Sequence, residues 1–144
     1  MLWGSRRKRG QEGQALVETT FMILAVLLLL MGIIEFGFLF FAYVRVSNAT
    51  REGARAGSLW LMTTGGTDSL TERVQTAVQA EFAAIENDDV VIVTENMADP
   101  QAGDTITVTT TYNYPLPIVS ALPIIRDVIS SPFPVSRRVV MRFQ

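Results

Sequence analysis

The chain has 144 residues, a formal net charge of −2, and neither cysteine nor histidine. The missing cysteines exclude disulfides and thiolate metal sites, and the missing histidines remove the most common general base and metal ligand. Residues 1–13 hold four basic residues and one acid, net +3, whereas residues 14–144 hold eight basic residues and thirteen acids, net −5. An acidic remainder lacks the basic surface that phosphate contacts require, so we expect no nucleic-acid partner.

The first segment is a basic leader. Its four basic residues lie at positions 6–9, and a glycine follows at Gly13. Basic residues beside a membrane span stay on the cytoplasmic side. We therefore expect residues 1–13 to form a cytoplasmic leader and the chain beyond the span to lie outside.

The next segment is long and apolar. Between Phe21 and Val44 the only charged residue is Glu35. As a helix this segment would be about 36 Å long, against about 30 Å for a hydrocarbon core. One carboxylate costs about 2.5–3.5 kcal/mol on insertion, and each Leu, Ile, Val or Phe returns about 0.3–0.6 kcal/mol. Since sixteen such residues lie in the segment, we predict a helix over residues 14–62 with a transmembrane part at about 19–44.

The alternatives to a membrane span are a buried helix of a soluble protein and a secretory signal peptide. A buried helix of a soluble protein confines its apolar residues to one stripe, whereas this run covers every face. A secretory signal peptide has a shorter apolar core that ends at a small-residue cleavage site, and this run has no such end. We expect a single-pass protein of the cytoplasmic membrane.

Small residues follow the span at a spacing of four: Ala49, Gly53 and Gly57. On a helix they share one face, which lets another element approach closely. The alternative is that the two glycines only fray the helix end. Glu52 and Arg55, three residues apart, are placed to pair on the exposed side.

The remainder, residues 63–144, predicts a small extracytoplasmic α+β domain. Asp68 or Ser69 is a suitable N-cap, and Glu72 completes a capping box with Ser69. Over residues 105–112, Ile, Val, Thr and Tyr at the even positions alternate with threonines at the odd ones, as in a half-exposed strand. The predicted elements are a second helix to about residue 85, strands over 90–93, 104–114 and 135–143 that form a short antiparallel sheet, and an apolar loop or short helical turn over 116–129.

Catalytic and cofactor signatures are absent from the sequence. The hydroxyl side chains have no histidine to activate them, and no glycine-rich phosphate loop follows a strand. The acidic pairs Asp88-Asp89 and Asp99 to Asp104 lack the spacing of a calcium loop. We expect no enzyme activity, no metal and no cofactor.

Three motifs occur in order: GQALVE at 13–18, IEFG at 34–37 and NATREGAR at 48–55. Together they resemble the TadE-like family, the minor pseudopilins of Tad/Flp-type pilus systems. The resemblance implies a type IV pilin-like fold, in which one long transmembrane helix continues into the exported domain. It also implies membrane-bound partners, namely a prepilin peptidase, other pilin-like subunits and the proteins of the pilus assembly platform.

The resemblance further implies cleavage between Gly13 and Gln14, which makes Glu18 the fifth residue of the mature chain. Glu18 would then offset the new N-terminal amine, its own or a neighbour's, because each charge is costly alone near the bilayer core. If Glu18 lies in the headgroup region instead, it needs no partner. For Glu35 the alternatives are an inter-helix contact within a pilus or platform complex, and snorkelling toward the outer interface.

The expected function is therefore that of a minor pseudopilin in pilus assembly or a related secretion machine, acting through helix packing. One alternative is an uncleaved single-pass protein that presents a binding or sensing domain. Another is a major filament subunit, incorporated in an extracellular pilus. Cleavage at Gly13 separates the first alternative from the two pilin-like ones.

Overall fold

The computed structural model describes residues 6–63, 69–82, 90–95, 100–122, 129 and 131–144. The fold is α+β, with a long N-terminal apolar helix, a further helix and a three-stranded antiparallel sheet, which confirms the predicted class. The elements in chain order are α1 (Arg6–Ser58), a 3-10 turn (Trp60–Thr63), α2 (Leu70–Phe82), β1 (Val90–Glu95), β2 (Thr105–Tyr114), α3 (Pro117–Ala121) and β3 (Phe133–Arg142).

The predicted bounds of the first helix are residues 14 and 62. Helix α1 begins eight residues before the first bound and ends four residues before the second. It begins at Arg6, because the leader is rich in good helix formers and contains no proline. It ends at Ser58, whose carbonyl accepts the backbone N–H of Gln144 at 3.1 Å. The carbonyls of a last helical turn have no partner within the helix, so the end of the chain satisfies one of them.

The two halves of α1 have different surroundings. Every residue from 13 to 34 is exposed, and the first buried residue is Glu35. From there one face of the helix is covered, with Ala42, Val46 and Ala49 in the core. The most apolar 18-residue window of α1 is only 6% buried, unlike the core helix of a soluble protein. The first half therefore projects from the domain, and the second half is its central helix.

Helix α2 packs against the second half of α1. Its buried residues recur at intervals of four, and Glu72 donates its backbone N–H to Ser69 Oγ at 3.2 Å, as the predicted capping box requires. Side chains of α2 contact α1 where α1 has no Cβ, at Gly53 and Gly57. Asp68 and the predicted helix end near residue 85 lie outside the described residues.

The sheet has the order β1-β2-β3, and both strand pairs are antiparallel. Strand β2 is central, and its even-numbered residues face the helices, as the alternation predicts. Thr107, on the other face of β2, is also buried, with 6% of its surface exposed. Strand β3 runs beside α1 in the same direction, from Phe133 near Phe36 to the end of the chain near Ser58.

The close approach at Gly57 gives a testable prediction. A Cβ at this position would lie 2.5 Å from Ile106 Cδ1 and 2.9 Å from Val74 Cγ2. Gly57→Ala is therefore expected to lower the free energy of unfolding by about 1–3 kcal/mol, the usual cost of overpacking. The measurement is chemical unfolding of the detergent-solubilised protein.

The matched control is Gly37→Ala, because a Cβ at Gly37 meets no atom within 4 Å. That variant is expected to be neutral or slightly stabilising, since alanine favours a helix more than glycine does. If both variants are equally stable, the packing described at Gly57 is wrong.

Candidate functional site on helix α1

The predicted cleavage site lies on an uncovered turn of α1. Gly13 and Gln14 are both helical and exposed, and nothing lies within 4 Å of a Cβ built on Gly13. No part of the folded domain covers the peptide bond between them. Among the described residues, none blocks the approach of another protein to this bond.

Glu18 lies one helical turn beyond Gln14. The Gln14 side-chain amide donates to Glu18 Oε1 at 3.0 Å, and both residues are exposed. The carboxylate therefore contacts the residue whose backbone nitrogen cleavage would convert into an amine. The described residues provide no cation beside it.

The polar residues next to Glu18 are satisfied within the helix. Thr19 Oγ1 donates to the carbonyl of Ala15 at 2.8 Å, and Thr20 Oγ1 donates to that of Leu16 at 2.9 Å. Hydroxyls that bond to the preceding turn need no outside partner in a membrane. Glu18 is therefore the one group on this turn whose charge calls for a partner.

Glu35 is buried against the domain of its own chain, with 6% of its surface exposed. Its Oε2 accepts the backbone N–H of Ile118 at 3.0 Å, across 83 residues of sequence. This N–H belongs to the first turn of α3, where no helical carbonyl can satisfy it. Glu35 Oε1 is buried too and has no hydrogen-bond partner among the described residues.

Tyr114 lies at the end of β2 close to this carboxylate. Burial raises the pKa of the Tyr114 hydroxyl, and the negative charge of Glu35 raises it further. The phenol is therefore held in its neutral form. The Tyr114 ring packs edge-on against the Tyr112 ring, with 6.3 Å between their centroids. The centroid of the Tyr112 ring lies 5.8 Å from that of Phe82.

The small-residue stripe lies inside the domain. Ala49 is fully buried, and the space at Gly53 and Gly57 is taken by Val74, Val78, Leu70 and Ile106 of the same chain. The element that approaches this face closely is α2, together with β2. The helix continues through both glycines to Ser58, so they do not fray it.

The predicted site residues therefore fall into three separate places. Gly13, Gln14 and Glu18 lie together on the exposed half of α1, Glu35 lies where the domain begins, and the stripe lies in the core. Glu18 and Glu35 are about 25 Å apart along the helix axis, so they cannot share one ion. Among the described residues no three potential metal ligands cluster.

Sequence reasoning missed the contacts on the other side of Glu35. Ile118 acts through its backbone, which carries no residue-type signal, and only the prolines at 115 and 117 hint at a helix start there. An apolar groove of about 310 Å³ lies beside this contact and opens to the surface. Its lining residues are Phe36, Leu39, Phe40, Tyr43, Phe133, Pro134, Val135 and Ser136.

The similarity to known proteins lies within helix α1. Residues 13–55 match the family model of TadE-like proteins. No curated protein and no solved structure matches the chain. The matched segment begins at Gly13, contains all three motifs and ends within α1. Over residues 13–55, about a third of its length, the chain is therefore similar to TadE-like proteins.

Proposed function

We propose that this protein is a minor pseudopilin that contributes to the assembly of a Tad/Flp-type pilus, or of a related secretion machine, by helix packing. The observation that carries the proposal is the division of α1 into an exposed apolar half and a half that forms the centre of the domain. The TadE-like match lies on this same helix and supports a pilus-related role. One N-terminal apolar helix indicates single-pass membrane insertion.

Orientation follows from charge. The basic leader holds the N-terminus in the cytoplasm, so the folded domain lies outside the cytoplasmic membrane. A prepilin peptidase then cleaves between Gly13 and Gln14. The uncovered turn at Gly13 supports this step, and so does the family match, which begins at that glycine.

Cleavage changes the charge balance of the exposed half. It removes the leader with its net charge of +3 and creates an ammonium group on Gln14. Within residues 14–44 this ammonium becomes the only cation, and Glu18 is the carboxylate nearest to it. Pairing the two, within one chain or between neighbouring subunits, relieves the cost of holding each near the bilayer core.

The domain outside the membrane acts as a packing partner and not as an enzyme. Its binding partners are other pilin-like subunits and the proteins of the assembly platform. Glu35 already uses one oxygen within its own chain, while its inter-helix contact within a pilus or platform complex stays a prediction.

The cleavage step is tested by the N-terminus of the membrane-extracted protein. Intact mass and N-terminal sequencing are expected to show a chain that begins at Gln14. Gly13→Leu is expected to abolish processing, whereas Gly10→Leu, three residues earlier in the same leader, leaves it unchanged. A wild-type chain that begins at Met1 would favour the uncleaved alternative with a binding or sensing domain.

The role of Glu18 is tested by Glu18→Ala. We expect normal membrane insertion but a tenfold or greater loss of assembled pili, because removing one partner of a desolvated pair leaves the other charge uncompensated. Sheared pili and membrane fractions are quantified by immunoblotting. Thr20→Ala is the matched control on the same turn, since its hydroxyl bonds only within the helix. Assembly at the wild-type level by Glu18→Ala would end the proposed role.

The same fractions separate a minor from a major subunit. A minor pseudopilin is expected at a small fraction of the abundance of the filament subunit in sheared pili. A chain that forms most of the sheared mass would be the filament subunit itself.

A further inference from the structure

We propose that the hydrocarbon span of α1 is about residues 15–34, and that the folded domain rests on the outer headgroup layer through an apolar surface beside Glu35. This surface, the lipid rim, consists of Phe36, Phe40, Tyr43, Phe133 and Pro134. Its partner is the bilayer that α1 crosses. The inference requires membrane insertion but neither cleavage nor pilus assembly, so it stands or fails apart from the proposed function.

The length of the uncovered helix supports this placement. Residues 13–34 are all exposed, and residue 35 is the first to be covered by the domain. Twenty helical residues from position 15 span about 30 Å, which equals the hydrocarbon thickness of a typical bilayer. The helix is therefore free of the domain over the length that lipid can occupy.

The backbone beside Glu35 excludes a placement in which the domain enters the hydrocarbon region of the bilayer. At this level the domain presents the turn before α3 and the bend at residues 131–132, where the Ser131 hydroxyl bonds to that of Ser120 at 3.2 Å. Irregular backbone exposed to lipid does not occur within the hydrocarbon region, because nothing there can satisfy its polar groups. The hydrocarbon must therefore end where this backbone begins.

Glu35 itself favours the same boundary. Its Oε1 is buried without a hydrogen-bond partner among the described residues. In a span over 19–44 this oxygen would lie about 5 Å from the bilayer centre, where no water reaches it. At the end of a span over 15–34 the carboxylate lies at the interface, where a charged group costs less than at the bilayer centre.

The side chains around the boundary are those of an interfacial layer. Phe36, Phe38, Phe40 and Phe41 are 55–68% exposed and cover the sides of α1 that the domain leaves open. Phe133 adds a ring from β3 that is 45% exposed. A patch of exposed apolar rings marks an interaction surface, and at this level of α1 the neighbouring surface is the bilayer.

Two arginines lie on the side of the lipid rim away from the span. The Arg45 guanidinium stands over the Phe41 ring at 5.5 Å and donates to the carbonyl of Glu81 at 3.2 Å. Arg137 Nη1 donates to Tyr43 Oη at 3.4 Å. Cations at this level face the headgroups while their stems lie along apolar surface. Along α1 an apolar helix is followed by aromatic rings and then by cations. This order matches that of the hydrocarbon core, the interface and the headgroups of a bilayer.

Depth measurements by fluorescence quenching test the placement. The chain has no cysteine, so single-cysteine variants need no prior substitution. We choose positions 25, 31, 133 and 140, each labelled with an environment-sensitive dye. The protein is reconstituted in phosphatidylethanolamine–phosphatidylglycerol vesicles that carry spin-labelled lipids with the quencher at the headgroup, high on the acyl chain or near its end.

The expected deepest position is 25, whereas a span over 19–44 places it near 31, a difference of roughly 10 Å along the axis. Position 133 is expected to be quenched by the headgroup label. Position 140 is the matched control: Val140 is exposed on the same strand, about 23 Å further along, and is expected to stay unquenched.

Three results would overturn the proposal. The first is a depth maximum at position 31. The second is quenching at position 133 that is no greater than at position 140. The third is quenching at position 133 that disappears as the protein-to-lipid ratio rises, since this would show that a second copy of the chain covers the lipid rim instead of lipid.

A pair of variants at Glu35 tests what holds the domain on this surface. Glu35→Ala removes the acceptor for the Ile118 N–H, and headgroup quenching at position 133 is expected to fall toward the level at position 140. Glu35→Gln keeps an acceptor oxygen and should keep the quenching. Position 25 should report the same depth in both variants, which distinguishes a local rearrangement at the α3 end of the domain from a shifted helix. Equal quenching at position 133 in both variants would remove Glu35 from this role.

Discussion

One unbroken helix serves two environments, and the rest of the structure depends on how it passes from one to the other. Lipid supplies no hydrogen bonds, so residues in the bilayer must satisfy their backbone within the helix itself. A folded domain, by contrast, needs a helix with one apolar face to pack on. Helix α1 meets both demands in sequence, because it is apolar on all faces before Glu35 and contributes a single buried face after it.

The second half of α1 is also the element that makes so small a domain stable. About 80 residues alone give a modest core. The domain gains apolar contacts from α1, and the absence of side chains at Gly53 and Gly57 lets Val74 and Val78 approach the helix backbone. The small-residue stripe therefore packs within its own chain, where it holds α2 and β2 against α1, and is not available to another subunit. Contacts with other subunits have to use other surfaces, of which the exposed first half is the largest.

Much of this architecture could be predicted from local sequence. The long helix follows from uninterrupted apolar composition, the start of α2 from the Ser69 cap, and the faces of β2 from strict alternation. Glu52 and Arg55 pair at 2.7 Å, as their spacing predicts, and this pair lowers the pKa of the Glu52 carboxyl. Each of these features depends on neighbours within a few residues.

The candidate site could be predicted only in part, for a physical reason. Hydropathy alone cannot show where the domain begins on α1, because the phenylalanines after Glu35 are as apolar as the leucines before it. The contact from Glu35 to Ile118 joins residues far apart in sequence and involves a backbone group. The partner of the small-residue stripe was equally undetermined, since close packing requires small residues whether the neighbour is the same chain or another.

Glu18 and Glu35 differ in what surrounds them, and this difference decides their roles. Glu35 receives a hydrogen bond from its own domain, next to a neutral Tyr114, so its position is set before any partner arrives. Glu18 has only the Gln14 amide and lies on a helix turn that nothing covers. A charge that is already engaged gives little further binding energy, whereas an uncompensated one in a membrane gives much. Under the proposed function, Glu18 is therefore the residue that couples cleavage to assembly, whereas Glu35 ties the start of α3 to the helix.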